Sequence, residues 1–294
     1  MKVFVTGASG QLGFDVCLEL ERRGIEHKGV SSKELDIRDG AAVQHMLEEY
    51  NPDVVVHCAA YTKVDRAEDE PELCTAINAT GTRNIAEACV QIGAKLLYIS
   101  TDYVFPGTGE RFYEPDDPTG PLSVYGRTKL EGEMAVKELL KNYFIVRISW
   151  VFGLNGNNFI KTMLRLSETN DTVRVVADQI GSPTYTADLA PLLCDMIETE
   201  KYGTYHATNE GVCSWADLAE EVFRQAGKNT KVQRISTAEY PTRAVRPLNS
   251  RMSKEKLVCE GFARLPDWRS ATARYISELT AVQQNTMGGK ECGQ

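Results

Sequence analysis

Val3-Phe4-Val5-Thr6-Gly7-Ala8-Ser9-Gly10-Gln11-Leu12-Gly13 decides the fold of this chain. Val3–Thr6 reads as a strand, and the segment from Leu12 to Arg23 reads as a helix. Between them the glycines fall at G-x-x-G-x-x-G spacing. Gly7 permits a tight turn, Gly10 lets the backbone approach a pyrophosphate, and Gly13 allows helix and strand to pack closely. The helix N-terminus then turns free amides and the positive end of its dipole toward the anion. A loose glycine triplet is weak evidence by itself. Placed after a strand and before a helix, it is a dinucleotide-binding turn.

Outward from that turn the pattern repeats. Glu26–Val30 reads as a strand and Gly40–Tyr50 as a helix. Asp53–His57 is a nearly continuous apolar run, expected of a strand buried on both faces. Pro71–Ile92 is a helix, Lys95–Ser100 a strand, Val124–Lys141 a helix and Tyr143–Ser149 a strand. Alternation of this kind predicts an α/β fold, a Rossmann-type doubly wound parallel sheet. After Trp150 the rhythm loosens. Asn155–Asn158 is a turn, Phe159–Ser167 a helix and Val173–Ala177 a strand. Ala187–Glu198 and Ser214–Ala226 read as helices around a short strand at Gly203–Ala207, and Arg243–Met252 is extended and basic. The expected division is a dinucleotide-binding domain over 1–150, with return segments near 173–181 and 203–208. The remainder of 151–285 forms a smaller C-terminal substrate-binding lobe, and 286–294 a polar, disordered tail.

The bulk properties bound the function. In 294 residues, a net charge of −8 and the absence of any basic stripe argue against a nucleic-acid surface. An anionic small ligand is still accommodated, because backbone amides bind phosphate locally. The eight cysteines show no CxxC spacing and the four histidines are scattered, which disfavours disulfide frameworks and metal sites. No secretory leader and no run of about 20 apolar residues is present, so a cytoplasmic protein that does not enter a membrane is expected.

A second segment carries chemistry. Ser123-Val124-Tyr125-Gly126-Arg127-Thr128-Lys129 sets a tyrosine and a lysine four residues apart, on one face if helical. A phenol with an ordinary pKa of about 10 is poor at proton transfer near neutrality, and a nearby ammonium is expected to lower it. The strand ending at Ser100 leads into Thr101-Asp102-Tyr103, beyond the carboxyl end of the sheet, where ligands gather. Thr101 is thereby placed to hydrogen-bond a substrate oxygen beside Tyr125, the alternative being a cap on the following turn. Val30-Ser31-Ser32-Lys33 lacks the acid that favours NAD at the end of the second strand. Hydroxyls and a cation there favour NADPH, with NADH an alternative. His57-Cys58-Ala59-Ala60-Tyr61-Thr62 supplies small residues against the cofactor.

These segments closely resemble the extended short-chain dehydrogenase/reductase family, over nearly the whole chain. The more specific carriers are Ser100-Thr101-Asp102-Tyr103-Val104-Phe105-Pro106-Gly107, Arg147-Ile148-Ser149-Trp150-Val151-Phe152, Asn157-Asn158-Phe159, Asp178-Gln179-Ile180-Gly181-Ser182-Pro183-Thr184 and Arg246-Pro247-Leu248-Asn249-Ser250-Arg251. They point to the sugar-nucleotide reductases within the family. The resemblance implies reduction at C4 of a dTDP-linked 4-keto-6-deoxy-L-mannose, with Thr101, Tyr125 and Lys129 catalytic and L-rhamnose for polysaccharide as the destination. It implies cofactor contacts at Gly7, Gly10, Gln11, Leu12, Gly13, Ser31, Asp36, Ile37, Ala59, Ala60, Tyr61 and Thr62, besides Tyr125 and Lys129. Substrate contacts are implied at Thr101, Asp102 and Trp150, with Asn158, Phe159, Arg246 and Asn249 as candidates for holding the nucleotide. Trp150 has a core role as its alternative, and Arg246 a surface ion pair.

Some members of the family are metal-bridged dimers with acids on the first helix and a later one. Here Asp15 holds the first place, but Ala187, with Asp188 beside it, holds the second. No metal is therefore predicted, and monomer and homodimer both stand. A 4,6-dehydratase would need a glutamate beside Asp102, where this chain has Tyr103. A 4-epimerase shares the Thr–Tyr–Lys set and differs in retaining NAD tightly. A non-enzymatic reading, a regulatory subunit similar to the methionine adenosyltransferase beta subunit, is disfavoured by Trp150, Asn157-Asn158-Phe159 and the complete glycine turn.

Overall fold

The computed structural model describes residues 1–288, with side chains through residue 282. Lys2–Thr6 (β1) sends Val3 and Val5 to one face of a sheet and Phe4 to the other. Gln11–Arg22 (α1), Glu26–Val30 (β2), Gly40–Tyr50 (α2) and Val54–His57 (β3) follow. Val54 and Val56 again separate from Val55, and both faces are covered by helices. Two short helices, Val64–Ala67 (α3) and Pro71–Thr75 (α4), lead through one wide π turn at Ala76–Thr80 into Gly81–Ile92 (α5). The expected single helix over Pro71–Ile92 is thus interrupted in its middle. Lys95–Thr101 (β4), Val124–Leu139 (α6) and Tyr143–Ile148 (β5) complete this half.

The second half crosses between the two units more than once. Val151–Phe152 (β6), Phe159–Leu166 (α7), Thr172–Val176 (β7), Ile180–Gly181 (β8) and Thr184–Tyr185 (β9) precede Thr186–Ile197 (α8) and Gly203–His206 (β10). β10 pairs with β5, and the large sheet runs β2-β1-β3-β4-β5-β10, all parallel. α8 lays Leu189, Leu192, Leu193 and Met196 into the same core as Val3, Val5 and α1, so part of 151–285 belongs physically to the nucleotide-binding unit. Strand order reverses between β1 and β3, which opens a crevice at the carboxyl ends.

Asn209–Glu210 (β11), Cys213–Ser214 (β12), Trp215–Gln225 (α9), Lys231–Ile235 (β13), Asn249–Ser250 (β14), Glu255–Cys259 (α10), Leu265–Asp267 (β15) and Trp268–Gly288 (α11) finish the chain. The segment near 173–181 does not return to the large sheet as expected. β7 pairs with β13, and β8 lies between β12 and β14. The cause is its side-chain pattern: Val173 and Val175 face an aromatic core with Phe152, Phe223, Trp268 and Tyr275, while Arg174 faces outward. The tail expected over 286–294 begins inside α11, because the helix continues through polar residues to Gly288; the rest lies outside the described residues.

One buried ion pair fastens α6 to the sheet. Arg147 on β5 donates to Glu133 through Nε at 2.8 Å and Nη2 at 2.7 Å, and Ser100 Oγ adds a bond of 2.6 Å. Both charged side chains are almost wholly buried. Removing one partner strands the other charge, which typically costs about 3–5 kcal/mol. Glu133→Gln is expected to lower stability by that order, read as the shift in a urea unfolding midpoint.

Candidate active site

Crowding of the main chain builds the glycine turn. Gly7 lies at φ 69°, and a Cβ there would collide with the backbone of Cys58 and Ala59. A Cβ on Gly13 would strike the Gly7 carbonyl, so at this turn α1 approaches through bare backbone. Gly10 is the N-cap of α1 and caps it with no side chain, which leaves the first amides facing the crevice. Asn155, from the second lobe, donates to the Ser9 carbonyl at 2.8 Å and holds the turn from above.

A second network sets the segment after β3. Thr82 spends its proton on the Asn78 carbonyl, so it accepts from His57 Nε2 at 3.1 Å. His57 Nδ1 is then the acceptor for Thr6 Oγ1 at 2.7 Å, and Thr6 in turn accepts Ala59 N–H at 3.2 Å. Burial, then the Lys129 charge, pushes His57 down to about 3, so the ring is neutral. Asn78 sits in the π turn and grips Tyr61 twice, accepting its N–H at 2.8 Å and donating to its carbonyl at 3.1 Å. Its amide also reaches Thr128 on α6 at 3.1 Å. One residue therefore indexes the loop after β3 against α6, a use typical of π turns.

α6 begins where Ser123 Oγ accepts Gly126 N–H at 3.1 Å, which starts the helix one residue before Tyr125. Tyr125 and Lys129 share a face, and Tyr103 stands edge-on to Tyr125 with ring centres 5.4 Å apart. Lys129 is buried, donates to the Ile99 carbonyl at 2.7 Å and rests 4.1 Å above the Tyr98 ring. Burial brings its ammonium down to about 7, partly offset by Glu133. The expectation that Lys129 pulls the Tyr125 phenol down is not what the arrangement gives. Burial pushes that phenol up, and the opposing influence comes from Thr101, because Lys129 is engaged with a main-chain carbonyl. Thr101 is also not a free donor: Oγ1 donates to Asp102 Oδ1 at 2.9 Å and accepts Tyr103 N–H at 3.2 Å. The turn-capping role weighed for it from sequence is present alongside its place beside Tyr125.

Across the crevice stands an aromatic wall. Trp150 has φ 50°, a left-handed conformation that costs a residue with a side chain about 1–3 kcal/mol. That conformation lays its indole on Trp215, with ring centres 3.8 Å apart and planes within 14°. Phe159 leans on Trp215 at 4.7 Å. Arg246 reaches the crevice from the far segment, donating to Asp65 Oδ2 at 2.7 Å, and its Nε has no hydrogen-bond partner among the described residues. Two expected substrate contacts do not reach the crevice. Asn158 is the N-cap of α7, accepting Lys161 N–H and donating to Gln11, Gly153 and Tyr275. Asn249 is buried, with its amide on the carbonyls of Thr108 and Arg111. Both amides are engaged within the protein, Asn249 with carbonyls far along the chain and Asn158 with Gln11 and Tyr275 as well as its own turn.

Together these elements line one cleft of about 1090 Å³. Its walls carry Gly7, Gly10, Gln11, Leu12 and Gly13 at one end, then Ser31, Asp36, Ile37, Ala59, Ala60, Tyr61 and Thr62. Thr101, Asp102, Tyr125 and Lys129 form its floor, and Trp150, Phe159, Trp215 and Arg246 the opposite end. The volume lies at the top of the roughly 300–1,000 Å³ range of small-molecule sites. Ser31 is held by Glu34, which accepts its N–H and hydroxyl at 2.8 Å each, and Asp36 pairs with Arg38. Asp188 is occupied by Arg274 and Asn209. Among the described residues no group of three or more His, Cys, Asp or Glu side chains is placed to hold a metal. No helix among them is long and apolar enough to cross a membrane.

The RmlD substrate binding domain model matches residues 1–281. The chain belongs to that family. The dTDP-4-dehydrorhamnose reductase of Streptomyces griseus is 47% identical over 282 residues, covering 94% of this chain and 93% of its own. A structure of dTDP-4-dehydrorhamnose reductase from Clostridium acetobutylicum superposes with a TM-score of 0.93 at 41% identity, covering 95% of this chain and 100% of that one. The Bacillus anthracis enzyme, solved in complex with NADP, gives a TM-score of 0.92 at 45% identity and covers 94% and 99%.

Within this RmlD-family site, sequence reading missed Trp215, Asn78, Asn155 and Ser250. Trp215 carried a usable signal, an aromatic directly after the helix-capping Ser214 and before Asp217. Asn78 offered a polar residue inside a helical run, while Asn155 and Ser250 act only through tertiary contacts.

Two neutral buried histidines give the fold an acid limit. His57 and His206 both lie near pKa 3 when folded, mainly through burial, against about 6.5 unfolded. Because the unfolded chain binds their protons first, stability is fully present above about 6.5 and lost as pH falls toward 3. Each contributes up to about 1.4 kcal/mol per pH unit in that window. Unfolding midpoints measured between pH 7 and 5 are expected to drop, and to drop less in His206→Gln.

Proposed function

We propose that this chain reduces the C4 ketone of dTDP-4-dehydro-L-rhamnose to dTDP-L-rhamnose with NADPH, NADH being the alternative. The observation that carries the reading is the meeting of Tyr125, Lys129 and Thr101 on the floor of a cleft continuous with the glycine turn. NADPH, bound with its pyrophosphate at Gly10–Leu12, supplies the hydride. Every other requirement falls to the protein. Tyr125 protonates the oxygen as charge develops on it, and a phenol pushed up by burial is protonated at neutral pH, the state a proton donor needs. Lys129, anchored on the Ile99 carbonyl, holds the nicotinamide ribose. Thr101 stands beside Tyr125 and gives the substrate oxygen a hydrogen bond once its proton is free of Asp102. The Trp150–Trp215 stack offers an apolar face to the deoxysugar, and Arg246 offers its guanidinium to the diphosphate.

Supplying dTDP-4-dehydro-L-rhamnose and NADPH to the purified chain is expected to consume NADPH and yield dTDP-L-rhamnose. A C4-inverted product with NAD retained would replace this reading with a 4-epimerase. Tyr125→Phe is expected to bind NADPH normally and lose about 10²-fold or more in turnover, the size of a lost general acid. Trp215→Ala removes an aromatic stack worth about 0.5–1.5 kcal/mol. It is expected to raise KM for the sugar nucleotide by up to about tenfold while the Kd for NADPH stays constant.

A further inference from the structure

Thr101 has a single hydroxyl proton, and a carboxylate holds it. Thr101 Oγ1 donates to Asp102 Oδ1 at 2.9 Å, while Asp102 Oδ2 accepts the Ser250 hydroxyl at 2.5 Å. Ser250 lies in β14, which pairs with β8 in the second lobe, far along the chain from Asp102. Thr101, Asp102 and Ser250 are all buried. A hydroxyl that gives its proton to a carboxylate can only accept from other partners. In this arrangement Thr101 has no proton left for a ketone oxygen or for the phenolate that Tyr125 becomes.

We propose that Ser250 is a positioning residue for reduction: by occupying Asp102 Oδ2 it keeps Oδ1 on Thr101, so that the Thr101 proton is released toward the reacting oxygens only when Asp102 is protonated. This inference rests on the reductase reading. Protonated at Oδ1, Asp102 becomes the donor to Thr101, and the Thr101 hydrogen turns to the cleft. Ser250 serves the ionised form, since an O–H bond to a buried carboxylate stabilises its charge. The groups around the carboxylate are Tyr103 on its own turn, Tyr125 on α6, and Arg246 with Asp65 beyond Tyr103. Among the described residues Asp102 makes no salt bridge, so hydrogen bonds from Ser250 and Thr101 are its main support. Burial raises it to about 6 even with those bonds, and losing the Ser250 bond raises it further.

The test compares the pH dependence of kcat, with dTDP-4-dehydro-L-rhamnose and NADPH, in wild type, Ser250→Ala and Asp102→Asn. Carbon-13 NMR of the Asp102 carboxyl, assigned by its disappearance in Asp102→Asn, gives the midpoint without turnover. Wild-type turnover is expected to fall as pH rises through about 6. In Ser250→Ala both midpoints move up by about one unit, the effect of losing one hydrogen bond to a charged group. Turnover at pH 7 then rises about fivefold, since the competent fraction goes from about 0.09 to about 0.5. A residue that only stabilised the fold would lower turnover instead. In Asp102→Asn this limb disappears while NADPH binding persists. An unmoved midpoint in Ser250→Ala, or a limb that survives Asp102→Asn, overturns the proposal. If Ser250→Ala does not fold, the Asp102 NMR midpoint in Ser250→Cys decides: an upward shift supports the proposal and an unmoved midpoint overturns it. Absence of wild-type turnover overturns the reductase reading, and the NMR midpoints still decide the role of Ser250.

Discussion

Backbone against backbone at the first turn is the constraint from which the rest follows. The Gly7 carbonyl occupies the space a side chain on residue 13 would fill, and the main chain after β3 occupies the space beside Gly7. α1 can therefore lie on β1 closely enough to aim its N-terminus along the crevice. That closeness also lets α8 pack behind α1, extending the core under the sheet. Both ends of the cleft inherit their positions from this contact. The far wall is built on β5 and β6, and the loop after them returns through Asn155 to lie on the same glycine turn.

α6 is held by a different kind of force. Its buried side carries Lys129 and Glu133, two charges one helical turn apart, and neither is left alone. Arg147 and Ser100 saturate Glu133, while the Ile99 carbonyl and the Tyr98 ring receive Lys129. A buried ion pair adds little net stability, but it fixes rotation of the helix about its axis. Rotation is the variable that matters, because Tyr125 must face the cleft from one side of the helix only.

The sheet was legible because its strands announce themselves twice. Val54–His57 and Val3–Thr6 are apolar on both faces, and each is followed by a helix-forming run, so local pattern and topology agree. The glycine turn and the Tyr125–Lys129 spacing were equally readable, since both are local geometry. The second lobe was not. Whether Thr172–Val176 joins the large sheet or Lys231–Ile235 depends on a partner some sixty residues away, and its alternation fits either. Asn158 and Asn249 sit in segments that resemble substrate loops, yet their amides were claimed within the protein, a competition no spacing rule reveals. The direction of the Thr101 proton was hidden for the same reason: it is set by Ser250, which arrives from β14.

The π turn at Ala76–Thr80 carries a consequence for how this chain tolerates change in length. Successive residues of a helix advance by about 100° around its axis. The single wide turn lets α4 present Cys74 beneath Tyr61 while α5 still presents Ile85, Ala86 and Cys89 to the sheet. Winding the same residues as plain α-helix would turn α5 by about 100° against α4 and swing one apolar stripe toward water, so the extra residue is absorbed only while the turn stays wide. The segment is thus a phase adjuster between a loop that lines the cleft and a helix that supports a sheet, and its winding is fixed by angle more than by composition.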